Sequence, residues 1–318
     1  MVRFILKRFL LAVPVFLGIT VLVFVLANMA PGNPAEIVAA SADSMTEEAL
    51  EQLKESMGLD KPVIVRYVIW LLDLLHGDLG QSTRTTQPVL NLIGERIGPS
   101  LILTLSSLVV AVVISIPLGV LAAYKPGSVL DHASSFLAFF GSSTPSFFIS
   151  LVLIYFFAVK WKALPSMGMY NSGEQPNMLS LVRHLLLPMS VLVFRMIGNL
   201  IKQTKGSILE ILNEDYVKTA RSKGLLEYKV IIRHALRNAL VPVITSIGLL
   251  VPFLIGGAVI TEQIFGWPGM GSLMVESIHA RDYNAIMGVT VVISGTVLIV
   301  NIFLDVVYSI LDPRISKK

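Results

Sequence analysis

Six stretches of this chain are apolar for long enough to matter, and polar residues gather between them rather than alternating within them. They are Phe9–Met29, Ser100–Tyr124, Ser134–Val159, Leu181–Gln203, Leu240–Ile260 and Ala285–Tyr308. A hydrocarbon core about 30 Å thick needs roughly 20 apolar residues of helix to cross it, and each stretch meets that length. The pattern predicts an all-α, polytopic membrane protein with six transmembrane helices. The first run follows Arg3, Lys7 and Arg8 as a signal peptide would. It is longer than a signal's apolar region and lacks a convincing small-residue cleavage site, so an uncleaved span is expected.

The connections are unequal. Between the first two runs lie residues 30–99, too many for a simple link. Within them Thr46–Lys54 has helical spacing, with Thr46 or Ser44 as N-cap and Gly58 as stop. A second helix is expected over Val63–Leu75, ended by Gly77. The expectation is an outside helical subdomain, either touching a soluble partner or acting as a lid over helix ends. The connection Thr261–Asn284 carries the turn formers Gly266, Pro268, Gly269 and Gly271, then a short helix over Ser272–His279. Pro117, Pro242 and Pro252 within apolar runs mark expected bends.

Composition agrees with the pattern. Of 318 residues 54% are hydrophobic and 14% charged, against about a quarter charged in soluble domains. The mean hydropathy is +0.75. Absence of cysteine removes disulfides and thiol chemistry. The net charge of +4 reads as orientation rather than nucleic-acid binding. With the N-terminus inside, 15 of the 25 Lys and Arg fall on the cytoplasmic side, in 1–8, 125–133, 202–239 and 309–318, while 10 acidic residues lie in residues 30–99 outside. Both termini are therefore expected in the cytoplasm. The expected divisions are 1–29, an N-terminal tail with the first span; 30–99, an extracytoplasmic helical subdomain; 100–308, a core of five helices with a cytoplasmic loop at 205–239; and 309–318, a cytoplasmic tail.

Catalytic signatures are absent. There is no G-x-x-x-x-G-K-[ST] phosphate loop, no H-E-x-x-H and no G-x-S-x-G. His76, His132, His184, His234 and His279 are spread over different connections and both expected faces. Ionisable residues within membrane spans are costly and so draw notice. Arg195, in the inner half of the fourth run, either snorkels, forms a structural ion pair, or lines a pathway. Ser246 is a second pathway candidate. Asp305, near the inner end of the last run, suits capping or an interfacial pair rather than proton transfer, and the lack of a midplane carboxylate counts against an ion-coupled secondary carrier, the competing class.

The cytoplasmic stretch Asn213–Ser246 is the longest charged segment between two such runs. Glu214 and Asp215 favour a helix start, and a helical run ends at Gly224. Ala220 and Gly224 share a face with Ser222 and Lys223 beside it, a smooth surface suited to a groove on another protein. A second helix is expected over Glu227–Asn238. The alternative is a basic amphipathic pair resting on anionic lipid.

Tyr216–Gly224, YVKTARSKG, followed by HALRNALVPV, resembles the cytoplasmic loop of permease subunits of ATP-binding-cassette importers, most closely the dipeptide and oligopeptide permease family. Ala30–Pro34 resembles that family's A-P-G-[DN]-P, and Gly77–Ser82 its G-D-L-G-x-S. Pro268–Gly271 with Arg281–Tyr283 resembles its late outside loop, and Asp305–Ile315 its ending. The resemblance spans essentially the whole chain. It implies the type I ABC importer permease fold and a coupling loop contacting an ATPase subunit through Asp215, Tyr216, Thr219, Ala220, Lys223, Gly224 and Leu225. It also implies a second homologous permease subunit, two cytoplasmic ATP-binding subunits that carry ATP and magnesium, and an extracytoplasmic substrate-binding protein. No cofactor would be bound by this chain, and no catalysis done by it. The substrates implied are di- or oligopeptides, although relatives carry nickel chelates, glutathione or oligosaccharides. Lys218-Thr219-Ala220 departs from the general Glu-Ala-Ala opening, and the closing proline is displaced to Pro242; both departures look like the peptide-permease subgroup.

Overall fold

The computed structural model describes residues 2–29, 46–56, 60–173 and 175–311. Ala30–Pro34, Ser44, Gly58 and the final residues of the chain's ending lie outside them. Among the described residues the chain is helical, with one isolated bridge, Gln81 to Pro88. The elements are α1 (Val2–Met29), α2 (Glu47–Ser56), α3 (Val63–Leu75), α4 (Val89–Tyr124), α5 (Val129–Ser143) and α6 (Ser146–Leu153). They continue with α7 (Met178–Ile211), α8 (Asp215–Ser222), α9 (Leu236–Gly257), α10 (Val259–Ile264), α11 (Met270–Ala280) and α12 (Tyr283–Leu311).

The caps explain several boundaries. The Ala49 amide donates to Thr46 Oγ1 at 3.3 Å, closing the first turn of α2. Gly77, at φ +83°, ends the turn after α3, a left-handed conformation that glycine adopts without steric cost. Four apolar helices, α1, α4, α7 and α12, are continuous and long enough to cross a membrane. All four exceed the runs expected from composition, most of all α4, which begins at Val89, and α7, which extends to Ile211.

The other two runs are bent. The run expected as one helix over Ser134–Val159 is instead broken by about 105° between α5 and α6. Pro145 offers no amide, and its ring pushes the preceding residue out of the helical region; Thr144 sits at φ −86°, ψ 127°. α6 then widens into a π-helix over Ile154–Lys160. In the fifth run a helical turn Glu227–Lys229 and a π-helix Val230–Ala235 precede α9, with a 46° bend, so the helix expected over Glu227–Asn238 is not uniform. Pro99 and Pro117 pass inside α4, and Pro188 inside α7, without a break. Thr261 and Glu262, expected in a loop, are helical in α10 and buried.

The chain divides into two compact units. One comprises Pro99–Pro268 with the chain from Val300. Its central element is α7, 61% buried over its apolar window against 28% for α4, so α7 forms the interior and lends most of the core. Met196, Leu200 and Ile201 pack there with Leu103, Ala111, Leu254 and Trp267. The approach of α5 to α7 needs glycine on both sides: a Cβ on Gly198 would lie 2.5 Å from the Ala138 carbonyl oxygen, and one on Gly141 2.2 Å from that of Phe194. Small residues at such crossings let backbones meet where lipid offers no hydrophobic drive for association. Asp131 accepts from Lys205 at 2.5 Å and from the Gly127 amide at 2.9 Å, tying the start of α5 to α7. Buried Glu262 accepts from the Ser100 hydroxyl at 2.6 Å, and the Trp267 indole donates to the Pro99 carbonyl at 2.9 Å. These partners satisfy polar groups that would otherwise be costly to bury.

The second unit comprises Val2–Gly98 and Gly269–Ile299. Leu79, Val89, Ile93, Met270, Leu273, Ala285 and Val289 form its core. Two segments singled out in the sequence meet here. The Ser82 hydroxyl donates to buried Asp282, and the Asn284 amide donates to the Gln81 carbonyl at 2.8 Å. Gly80, at φ +77°, is closely approached by the Asn284 side chain.

Candidate functional site: the loop around α8

α8 is short and two-faced. At 100° per residue Val217 and Ala220 fall on one side, with Asp215, Lys218, Thr219 and Ser222 opposite. Val217 and Ala220 are buried among Ala123 at the end of α4, Ile208 and Leu212 at the end of α7, and Val230, Ile231, Ala235 and Ala239 leading into α9. Complete burial of a valine side chain is worth about 1.5–3 kcal/mol, so the inner face alone holds α8 against three longer helices. The loop is thus a fixed projection of the helix ends.

Polar contacts secure it further. Arg221 donates to Glu227 through Nη2 at 2.5 Å and Nε at 3.1 Å, a two-point fork that closes the turn Lys223–Leu226 from both sides. Its Nη1 donates to the Leu212 carbonyl at 3.4 Å. The hydrogen bonds to Glu227 raise the pKa of the Arg221 guanidinium. Lys218 donates to Asp215 at 2.9 Å and holds that carboxyl below the usual carboxylate range. The resulting anion in the first turn suits the positive end of the helix. The Asn238 amide donates to the Tyr216 hydroxyl at 2.8 Å, joining α8 to α9. Gly224, at φ +79°, makes the reversal after α8, and a Cβ there would meet nothing within 4 Å.

The sequence-derived site residues divide accordingly. Asp215, Tyr216, Thr219, Lys223, Gly224 and Leu225 are exposed along one stretch. Ala220 is turned into the chain's own core at 6% exposure, so its face is not the one it was expected to share with Gly224. Arg195 lies on an exposed side of α7, and half-buried Ser246 donates its hydroxyl to the Pro242 carbonyl of its own helix at 3.1 Å. Neither belongs to the loop. Sequence reasoning missed Arg221, Glu227, Leu226 and Tyr228. The first two carry a legible signal, opposite charges on either side of a glycine turn. Leu226 and Tyr228 are 59% and 49% exposed, which places apolar side chains beside Leu225 on an otherwise charged surface.

Several known proteins are similar to this chain in sequence over its whole length. Residues 115–317 match the model of the binding-protein-dependent transport system inner membrane component, and residues 1–104 match that of its N-terminal region. The oligopeptide transport system permease protein AppB of Bacillus subtilis is 41% identical over 317 residues, covering 99% of this chain and 100% of the relative. The dipeptide transport system permease protein DppB of Escherichia coli K12 is 37% identical over 339 residues, covering both chains fully. A chain from the MetNI methionine ABC transporter, solved in inward-facing conformations, shares the fold with a TM-score of 0.54 at 19% identity, over 70% of this chain and 96% of that one. The chain belongs to the family of inner membrane components of binding-protein-dependent transport systems, as a multi-pass permease subunit of an ABC importer.

Proposed function

We propose that this chain forms half of the pathway of an ATP-driven importer of di- or oligopeptides and receives the work of ATP hydrolysis through α8 and the turn Lys223–Leu226. The observation that carries this reading is the pairing of two faces on one short helix. The outer face of α8 presents Asp215, Lys218, Thr219 and Ser222, followed by exposed Leu225 and Leu226 in the turn and Tyr228 beyond it, while the inner face, Val217 and Ala220, is packed against the ends of α4 and α7 and the start of α9. A load applied to the outer face therefore reaches three helices together. Peptide as substrate is supported by the names of AppB and DppB, whose lengths this chain matches throughout.

In this reading both termini and residues 205–239 are cytoplasmic, and residues 30–99 belong to the outer side. A second homologous permease completes the pathway. Two ATP-binding subunits bind ATP and magnesium, and an external binding protein delivers substrate. The transport site must differ in affinity between outward- and inward-open states, or hydrolysis would drive nothing. This chain contributes the path and the lever, and hydrolysis takes place on its partners.

Since the chain lacks cysteine, a single Leu225→Cys variant is a unique reporter. In the assembled complex it should cross-link to an ATP-binding subunit through a short thiol-reactive linker. Labelling of that cysteine by an impermeant maleimide added outside intact cells would contradict the reading.

A further inference from the structure

We infer that α3 (Val63–Leu75) lies within the outer leaflet of the bilayer, with its aliphatic face covered by acyl chains rather than by water or a protein partner. Three stripes run along this helix. Tyr67, Trp70 and Leu74 lie on one side and pack inward; Tyr67 and Trp70 meet Phe24 of α1 at ring distances of 5.4 and 5.7 Å. Arg66 and Asp73, seven residues apart and so on one edge, line a cavity of about 370 Å³ with Lys61 and Asp78. Ile69 and Trp70 border the same cavity, and the remaining arc is wholly aliphatic: Ile64, Val65, Val68, Leu72 and Leu75, exposed by 43% at Val65 to 78% at Ile64. A contiguous apolar strip of this kind is not left in water.

The depth of α3 follows from one hydrogen bond. Tyr67 OH lies 3.0 Å from Thr20 Oγ1, whose own proton goes to the Leu17 carbonyl at 2.8 Å, so the tyrosine is the donor. Thr20 is nine residues before Met29, the end of α1, and twelve after Arg8. At 1.5 Å per residue this is about 13 Å from one end and about 18 Å from the other. Half the hydrocarbon core is roughly 15 Å, so the tyrosine hydroxyl sits near the bilayer centre, where it needs the partner it has. α1 itself exposes Leu22 and Leu26 by 58% and 59%, an aliphatic surface at the same level. Chemistry separates lipid from a protein partner. Protein interfaces are anchored by Trp, Tyr and Arg, and here Tyr67, Trp70 and Arg66 all lie on the other two stripes. α3 is thus a membrane-embedded helix, a placement different from both a surface for a soluble partner and a lid over helix ends.

The test uses the full transporter in vesicles of phosphatidylethanolamine and phosphatidylglycerol, with spin labels on Val68→Cys, Leu72→Cys and Leu75→Cys variants, singly, in the naturally cysteine-free chain. Three positions keep the test intact should one variant fail to accumulate. Exposed Asp60→Cys serves as the aqueous reference. Collisions with oxygen should exceed those with a water-soluble nickel chelate several-fold at the three helix sites, and the ratio should reverse at Asp60→Cys. Nickel accessibility at the helix sites equal to that at Asp60→Cys would overturn the inference in favour of water. Low accessibility to both reagents would overturn it in favour of a protein cover, such as the second permease subunit.

Discussion

Gly224→Glu is expected to leave the chain inserted in the membrane while reducing co-purification of the ATP-binding subunits by more than about tenfold, a loss of ~1.4 kcal/mol or more. Gly224 closes α8 at φ +79°, and among the described residues beyond its two chain neighbours nothing lies within 4 Å of a would-be Cβ. A side chain there meets no internal obstacle, so the chain loses only the local cost of a left-handed non-glycine residue, about 1–2 kcal/mol. What changes is the outer surface: a new carboxylate stands beside Leu225 and Leu226 where a partner would approach. Gly224→Asn, which tolerates the same backbone conformation and adds no charge, should retain most of the association. Pull-down from solubilised membranes with tagged permease measures both variants. Normal recovery of the ATP-binding subunits with Gly224→Glu would remove α8 from the docking surface.

Gly198→Leu should have the opposite signature, loss of the permease itself. Its Cβ would lie 2.5 Å from the Ala138 carbonyl oxygen and 2.8 Å from the Ala138 Cα, so backbone rather than a flexible side chain must move. Overpacking in a dense core costs typically 1–3 kcal/mol, and here the facing Gly141–Phe194 approach must open as well. Accumulation in membranes and the melting temperature in detergent should both fall sharply. Gly206→Leu on the same helix is the control, since nothing lies within 4 Å of its would-be Cβ. Equal melting of the Gly198→Leu variant and wild type would show that α5 and α7 do not meet as described.

The apolar runs made the membrane helices legible, because the span of a bilayer sets a length that composition alone reveals. The breaks were less legible. Pro117 and Pro145 both interrupt apolar runs, yet α4 passes through the first and the chain turns sharply at the second. Neighbouring helices decide whether a proline is absorbed, and single-chain periodicity carries no trace of them. The same limit explains Ala220. A small residue suits a partner's groove and the chain's own core equally well, and only Val217 three residues earlier, pointing inward with it, decides between them. Gly224 was readable because a helix stop is local. The meeting of Ser82 with Asp282 was not, since two hundred residues separate them and nothing local pairs a serine with one aspartate over another. The helix over Val63–Leu75 is legible in the sequence, and the structure shows it with those bounds. Its length falls short of a span, so composition alone does not reveal that Tyr67 reaches Thr20.

Uptake of a labelled dipeptide into proteoliposomes tests the central claim most directly. The complete assembly would contain this chain, its permease partner, the ATP-binding subunits and the external binding protein. It should accumulate peptide only with hydrolysable ATP, and collapse of ion gradients should leave the rate unchanged. Peptide accumulation by this chain without ATP-binding subunits, driven by an imposed ion gradient, would contradict the account.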